Sequence, residues 1–425
     1  MSRCFSPATI CLPDFSKQTV DPRRWSCVAC DQYTSEVDYW TSLDAEVGAY
    51  PSTLRLILPE VWLGEADARI PAIHDTMNQY ASDIMLRYPN RMIYVERTLN
   101  DGSVRKGLVG KIDLCAYEYQ VGASSLIRAT EKTVTERIPP RMAIRRGAAL
   151  ELPHVMLLID DPADSVIGTA SRRAAELETA YDYPLMAKGG HLHGAWLDDR
   201  AMDDVTTALD ALITPEAMAD RYGSSNLAPL LFAVGDGNHS LASAKAYFEE
   251  IKAEIGEEAA MSHPARYALV EVVNLYDESL QFEPIYRVLF GVDPAAALKA
   301  WEAYAAAQNG SQEAQTVDWY IGDTHGQTAV PHPTSALAVG TVQAFLDDYL
   351  KTAPDGAYID YIHGEETAVS LAKEEGAIAF LYDGMKKEQL FFSVIADGSL
   401  PRKTFSMGHA HDKRFYTEAR ELIRD

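Results

Sequence analysis

The stretch Gly235–Ser240, "GDGNHS", gathers two glycines, an aspartate, an asparagine, a histidine and a serine into consecutive positions. Such a set suits an anion held at a bend of the backbone. Gly235 and Gly237 let the chain turn and approach a phosphate closely. Asn238 and Ser240 offer hydrogen-bonding groups, and His239 can donate a hydrogen bond or a proton. Asp236 repels an anion directly, and makes better sense holding Mg²⁺ or accepting a hydroxyl proton. The common phosphate loops are not here: Ser240 stands where GxGxxG needs its third glycine, and GxxxxGK[ST] does not occur. A plainer account is also open, in which Asp236 or Asn238 caps a helix and the glycines only form its turn.

The elements on either side must position these groups. An apolar run, Leu230 to Val234, leads into the motif, and Leu241, Ala244, Phe248, Ile251 and Ile255 follow it at helical spacing until Gly256. The motif is therefore predicted to be a strand-to-helix turn. Its amides would point out of the helix N-terminus, where unpaired N–H groups and the positive end of the dipole favour an anion. A branched residue at Gly237 is expected to block a ligand and leave the fold intact. Elsewhere the pattern predicts strands at 53–58, 155–160 and 266–277, and a hairpin over 91–119 turning at Asn100–Asp101–Gly102. Helices are predicted over 164–180 and 200–222. Beyond 280 come a helix at 294–308, an irregular stretch at 309–335, and a helix near 341–351. A helix–strand pair, a strand "QLFFSVIA" and a C-terminal helix follow. The reading is an α+β (mixed α/β) protein with an anion-binding core, 1–280, and a C-terminal mixed α/β portion, 281–425, that completes the site.

Composition narrows the partners. The net charge is −24, and no block of five or more basic residues occurs, so nucleic acid is not expected as a partner. A small anionic metabolite or nucleotide remains suitable, because a few cations can act locally inside an acidic envelope. No apolar run reaches the ~18 residues of a membrane helix, and the first residues lack a continuous apolar signal segment, so a cytoplasmic protein is expected. A homodimer is compatible with all of this. The five cysteines include a single CxxC, Cys27 and Cys30, without the second ligand pair that a zinc site needs, and are read as free thiols. The HxH pairs His191/His193 and His409/His411 have no carboxylate placed beside them.

Further candidates flank the turn in sequence. Asp31 follows the apolar "CVAC" and is a candidate base or Mg²⁺ ligand, or else an N-cap. Arg128 and Glu131 lie in an arginine-rich segment suited to anions, and Lys188 precedes a glycine pair on a loop. Arg402, Lys403 and Thr404 follow a proline turn and could close over a phosphate.

"GDGNHS", "WSCVACDQYTSE", "LQFEPIYRVLF" and "PRKTFSMG" taken together resemble the bacterial and archaeal family called domain of unknown function 1015, over nearly the whole chain. Many of its members carry "DGHHR" at the turn, and Lys-Ser-Thr where this chain has Arg402, Lys403 and Thr404. Arg287 falls in the segment "PIYRVL", similar to the family's "PtHRvl". The resemblance favours Arg128 and Glu131 as site residues too. A more distant similarity links the turn to the ParB/sulfiredoxin-like fold, whose free-serine kinases carry "DGHTR". It implies a ParB/sulfiredoxin-like core, a nucleotide such as ADP or ATP, and Mg²⁺. Ser240 stands where those enzymes have arginine, so another cation must replace it or the chemistry differs. The expected function is nucleotide-dependent phosphotransfer to a small hydroxyl-bearing metabolite, with serine as the analogue. Asp31, Asp236 and His239 would be catalytic. Gly235, Gly237, Asn238, Ser240, Arg402, Lys403 and Thr404 would hold phosphates, and Arg128, Glu131, Lys188 and Arg287 the substrate. The alternatives are a nucleotide sensor without turnover and a phosphate-ester hydrolase.

Overall fold

The strand Tyr267–Asn274, "YALVEVVN", is apolar almost throughout because both of its faces are covered. Val270 and Val272 enter one cluster with Tyr94, Leu108, Leu157 and Phe232, while Leu269 enters a second with Ile93, Val95, Val109 and Leu192. Alternation of side chains along each strand divides the two clusters across one sheet. In the computed structural model, which describes residues 4–422, this sheet has ten strands. Its order runs Glu178–Pro184, His191–Trp196, Ile93–Thr98, Val104–Asp113, Tyr267–Asn274, Met156–Ile159, Phe232–Asp236, Ile127–Ala129 and Tyr117–Glu118, and Phe5–Ser6 pairs with Val104–Asp113. Parallel and antiparallel pairs are mixed, and the fold is mixed α/β. Among the described residues no helix is long and apolar enough to cross a membrane.

The chain forms two units. One runs to Leu280 and takes up the chain again from Gly408; the other is Gln281–Met407. The second unit has an antiparallel sheet of Thr324–Val330, Gln315–Ile321, Ile378–Leu381, Phe282–Phe290 and Tyr358–His363, with Phe405–Met407 on the start of Phe282–Phe290.

Several elements differ from the sequence reading. Residues 53–56 are a 3-10 turn, because Ser52 caps the Leu54 amide and the Ser52 and Thr53 hydroxyls bond the Trp25 carbonyl. The helix expected over 164–180 is only Ile167–Ser171, after which Glu178–Pro184 pairs as a strand with His191–Trp196. The stretch 309–335 holds a hairpin, Gln315–Ile321 with Thr324–Val330. "QLFFSVIA" lies in a helix, Lys387–Asp397, that buries Leu390, Phe391 and Val394, a helical spacing. Among the described residues the C-terminal helix does not form. Val28 bridges Arg414, Cys11 bridges Ala419, and Arg420–Glu421 pairs with Leu150–Glu151, so three distant segments take up the backbone groups of this stretch.

That C-terminal stretch carries charge into the interior. Arg97 and Arg105 sit directly opposite each other on neighbouring strands, and Glu271 lies 3.9 Å from Arg105. The Tyr416 hydroxyl accepts from Arg105, and the Tyr181 hydroxyl donates to Glu418. Burial, with the nearby Glu271 adding to it against the Tyr181 hydrogen bond, pushes the Glu418 carboxyl from its ordinary 4.5 up to about 7. The native state therefore holds a proton that the unfolded chain releases between those values. Glu418 contributes full stability below 4.5 and loses it as pH rises through 7, at most about 3 kcal/mol. Urea midpoints should accordingly fall from pH 5 to pH 7.5, and Glu418→Gln should flatten that slope; identical slopes for the two proteins would contradict it.

Candidate functional site

The strand Phe232–Asp236 ends at Gly237, whose φ of 82° is the left-handed region, and the helix Asn238–Ile255 begins at once. This is the strand–turn–helix expected from the sequence. Leu241, Ala244 and Phe248 carry the helix onto the core, while Ile255 remains exposed. A Cβ on Gly237 would lie 3.0 Å from Val155 Cγ2 and 3.1 Å from its Cα. Together with the positive φ, this strains any larger residue at the position, so a valine there is expected to cost stability as well as obstruct a ligand. The Asp236 carboxylate accepts from the Gly237 amide at 2.8 Å. The first helical bond is Leu241 N–H to the Gly237 carbonyl, so the amides of the first turn lie outside the helical ladder.

Around this turn the first unit assembles groups from four distant segments. The Ala29 amide donates to the Lys413 carbonyl at 2.7 Å, and the Phe415 amide to that of Cys27 at 3.1 Å. This pairing sets Lys413 beside Asp31. Its ammonium reaches the Asp236 carboxylate at 3.2 Å. Burial works against the charge of Lys413, but Asp236, Asp31 and Glu131 outweigh it and raise the ammonium above its ordinary range. Asp31 shows the converse. Burial pushes its carboxyl up, yet His154, the Gln32 amide, Lys413 and Arg141 together hold it below the usual carboxylate range. Lys413 thus pairs with Asp236 and feels the charges of Asp31 and Glu131, and supplies a cation that the turn itself lacks.

His154 is the other group that sequence reasoning missed. Asp236 pairs with Met156 in antiparallel register, which sets His154 beside the start of the helix. Its ring packs edge-on against Phe415, with centroids 4.9 Å apart, and Nε2 lies 3.0 Å from the Ser240 hydroxyl. The neighbouring His239 Nε2 accepts from the Val134 amide at 3.3 Å, which puts its ring proton on Nδ1. Asn238 reaches Thr130 Oγ1 at 3.5 Å, and that hydroxyl in turn donates to the Val234 carbonyl. The only sequence signal for His154 was a polar ring before an apolar strand; Lys413 stood in a segment read as helix.

The remaining candidates are engaged as follows. Arg128 is buried and donates to the carbonyls of Ser125, Ala228 and Pro229. Lys188 is exposed on a loop with a positive φ of 54°. In the arginine-rich segment, Arg141 pairs with Glu60, Arg145 with Glu151 and Arg146 with Glu250. Arg287, Arg402, Lys403 and Thr404 belong to the second unit. There Arg287 is fully buried, Arg402 pairs with Asp347 at 3.2 Å, and Thr404 donates to the Pro401 carbonyl. Burial pushes the Cys27 and Cys30 thiols up to about 12, so neither is a ready nucleophile. Among the described residues no three His, Cys, Asp or Glu side chains stand close enough to hold a metal. Two carboxylates at the turn still match the way Mg²⁺ binds, through one or two carboxylates plus phosphate oxygens.

A family model described as "Protein of unknown function (DUF1015)" matches residues 14–349. No curated protein matches the sequence. Among solved structures, free serine kinase in complex with AMP is 11% identical, with a TM-score of 0.36 over 72% of this chain and 90% of that one. A mutant of free serine kinase in complex with ADP is 11% identical, with a TM-score of 0.37 over 74% and 93%. A conserved hypothetical protein from Pyrococcus furiosus is 13% identical, with a TM-score of 0.33 over 72% and 95%.

Proposed function

Because the chain belongs to the DUF1015 family, whose description assigns no reaction, we propose from the site alone that the turn Gly235–Ser240 binds the phosphates of a nucleotide and serves phosphotransfer to a small hydroxyl-bearing metabolite. The observation that carries this reading is Lys413, paired with Asp236 just before the helix Asn238–Ile255, with the charge of Asp31 also acting on it. A helix N-terminus offers about half a unit charge, too little by itself for a di- or triphosphate beside two carboxylates. Lys413 adds a full charge at the same place. Gly237 brings the backbone close, the first-turn amides face the anion, and Asn238 and Ser240 add side-chain contacts. Mg²⁺, when bound, would neutralise phosphate charge, with Asp31 and Asp236 as the residues to hold it. Asp31 stays ionised through the neutral range, which suits it to orient and accept from the metabolite hydroxyl. His239 would serve as a hydrogen-bond donor to a phosphoryl oxygen.

The test is a thermal-shift series with ADP, ATP and AMP, with and without Mg²⁺, followed by phosphorus NMR of the nucleotide with a panel of small alcohols. A nucleotide-specific rise in melting temperature and alcohol-dependent conversion are expected. Binding without conversion would leave a sensor, conversion by water alone a hydrolase, and no shift at millimolar nucleotide would end the proposal.

A further inference from the structure

A cavity of ≈ 130 Å³ within the first unit is lined on one part of its wall by His154 and Ser240, the pair at the helix start. An engineered protein cavity of about 150 Å³ holds benzene, so this space fits a body of that order. Its walls are mostly hydrocarbon, from Leu56, Leu58, Met77, Ile144, Leu150 and Phe415. The charged side chains that reach it are engaged with one another or with neighbours. Arg141 pairs with Glu60, Arg145 with Glu151, and Glu151 also with Arg420. Arg145 Nε is one N–H left without a partner. The Ser243 hydroxyl donates to the His239 carbonyl, and the Cys30 thiol is held protonated by burial. A ligand in this cavity therefore meets apolar wall, the Arg145 Nε–H and one polar pair, His154 with Ser240.

We infer that this cavity receives the acceptor of the proposed phosphotransfer, and that the acceptor is a small alcohol with an apolar body rather than a zwitterion such as serine. The inference rests on the phosphotransfer reading for its function, though not for its geometry. The hydroxyl of such a ligand can exchange hydrogen bonds with Ser240 Oγ and His154 Nε2, as a hydroxyl both donates and accepts. The apolar body gains by leaving water. Serine would have to bury an ammonium and a carboxylate against hydrocarbon, and a single guanidinium N–H cannot balance both.

Calorimetric titration of the full-length protein with benzyl alcohol and with L-serine, each with and without ADP, tests this. Benzyl alcohol is expected to bind and L-serine to give no heat. Ala148→Leu, which fills the cavity from its wall, should weaken benzyl alcohol binding about tenfold or more and leave ADP binding unchanged. Should that variant fold poorly, methyl NMR of the unaltered protein decides the same question: shifts at Leu150, Met77 and Ile144 on adding benzyl alcohol support the site. Binding of L-serine, or benzyl alcohol without effect on those methyls, overturns the inference. A protein that binds benzyl alcohol in the cavity but no nucleotide would keep the site and lose the phosphotransfer reading.

Discussion

Replacing Lys413 by methionine is expected to weaken nucleotide binding by on the order of 100-fold, the largest functional loss at any single position of the turn. A charge-assisted contact contributes about 1.5–3 kcal/mol, and 1.4 kcal/mol is tenfold in affinity. The loss goes beyond one contact, because Asp31 and Asp236 would then face the phosphates without a cation between them. Methionine keeps the length and most of the apolar stem, so the packing of the pairing with Ala29 is retained. Lys413→Arg should keep most of the affinity. The double variant Lys413→Met with Asp236→Asn removes the unpaired carboxylate, and is expected to recover stability without recovering binding. That split separates a ligand contact from a purely structural ion pair. Calorimetric affinities for ADP that are equal in the wild type and Lys413→Met would remove the residue from the site.

Arg287→Ala is expected to cost the second unit about 3–5 kcal/mol, the scale for stranding the partners of a buried charged group. The guanidinium is fully buried and donates to Gln343, Tyr382, and the carbonyls of Ile285, Arg402 and Lys403, with the Tyr361 ring 5.0 Å from its carbon. Alanine would take this donor from the Arg402 and Lys403 carbonyls, leave the Ile285 carbonyl to the Tyr382 hydroxyl, and open a cavity where the side chain stood. The loop it holds includes Lys403 at a φ of 51°, a conformation that needs outside support. Hydrogen exchange followed by mass spectrometry should show protection lost along Phe282–Phe290 and Phe405–Met407. Arg287→Lys should rescue little, since an ammonium cannot reproduce the planar fork. Unchanged protection in Arg287→Ala would show that the network is not what holds these strands. The family resemblance implied that Arg287 contacts substrate. Burial, which no local pattern reveals, gave it carbonyl partners instead.

What the sequence determined by itself is the turn. Glycines at 235 and 237, an apolar run before them and an apolar face after them are local signals, and local signals dictate a strand, a left-handed residue and a helix wherever the rest of the chain goes. The hairpin at Asn100–Gly102 and the strand Tyr267–Asn274 were legible for the same reason. Periodicity failed where two periods fit one run. "QLFFSVIA" reads as a buried strand until the spacing of Leu390, Phe391 and Val394 is seen against the core. It failed more completely after Lys413, where "TEAREL" favours a helix by propensity and pairing with residues near 11, 28 and 150 overrides it. That override also decides the site. Lys413 reaches Asp236 only because its strand lies against Cys27–Ala29, and His154 reaches Ser240 only because Met156 pairs with Asp236. From the sequence there was reason to expect an anion at the turn. That Lys413 pairs with Asp236 and His154 stands beside Ser240 depended on contacts between residues more than eighty positions apart in the chain, and those are set by tertiary pairing alone.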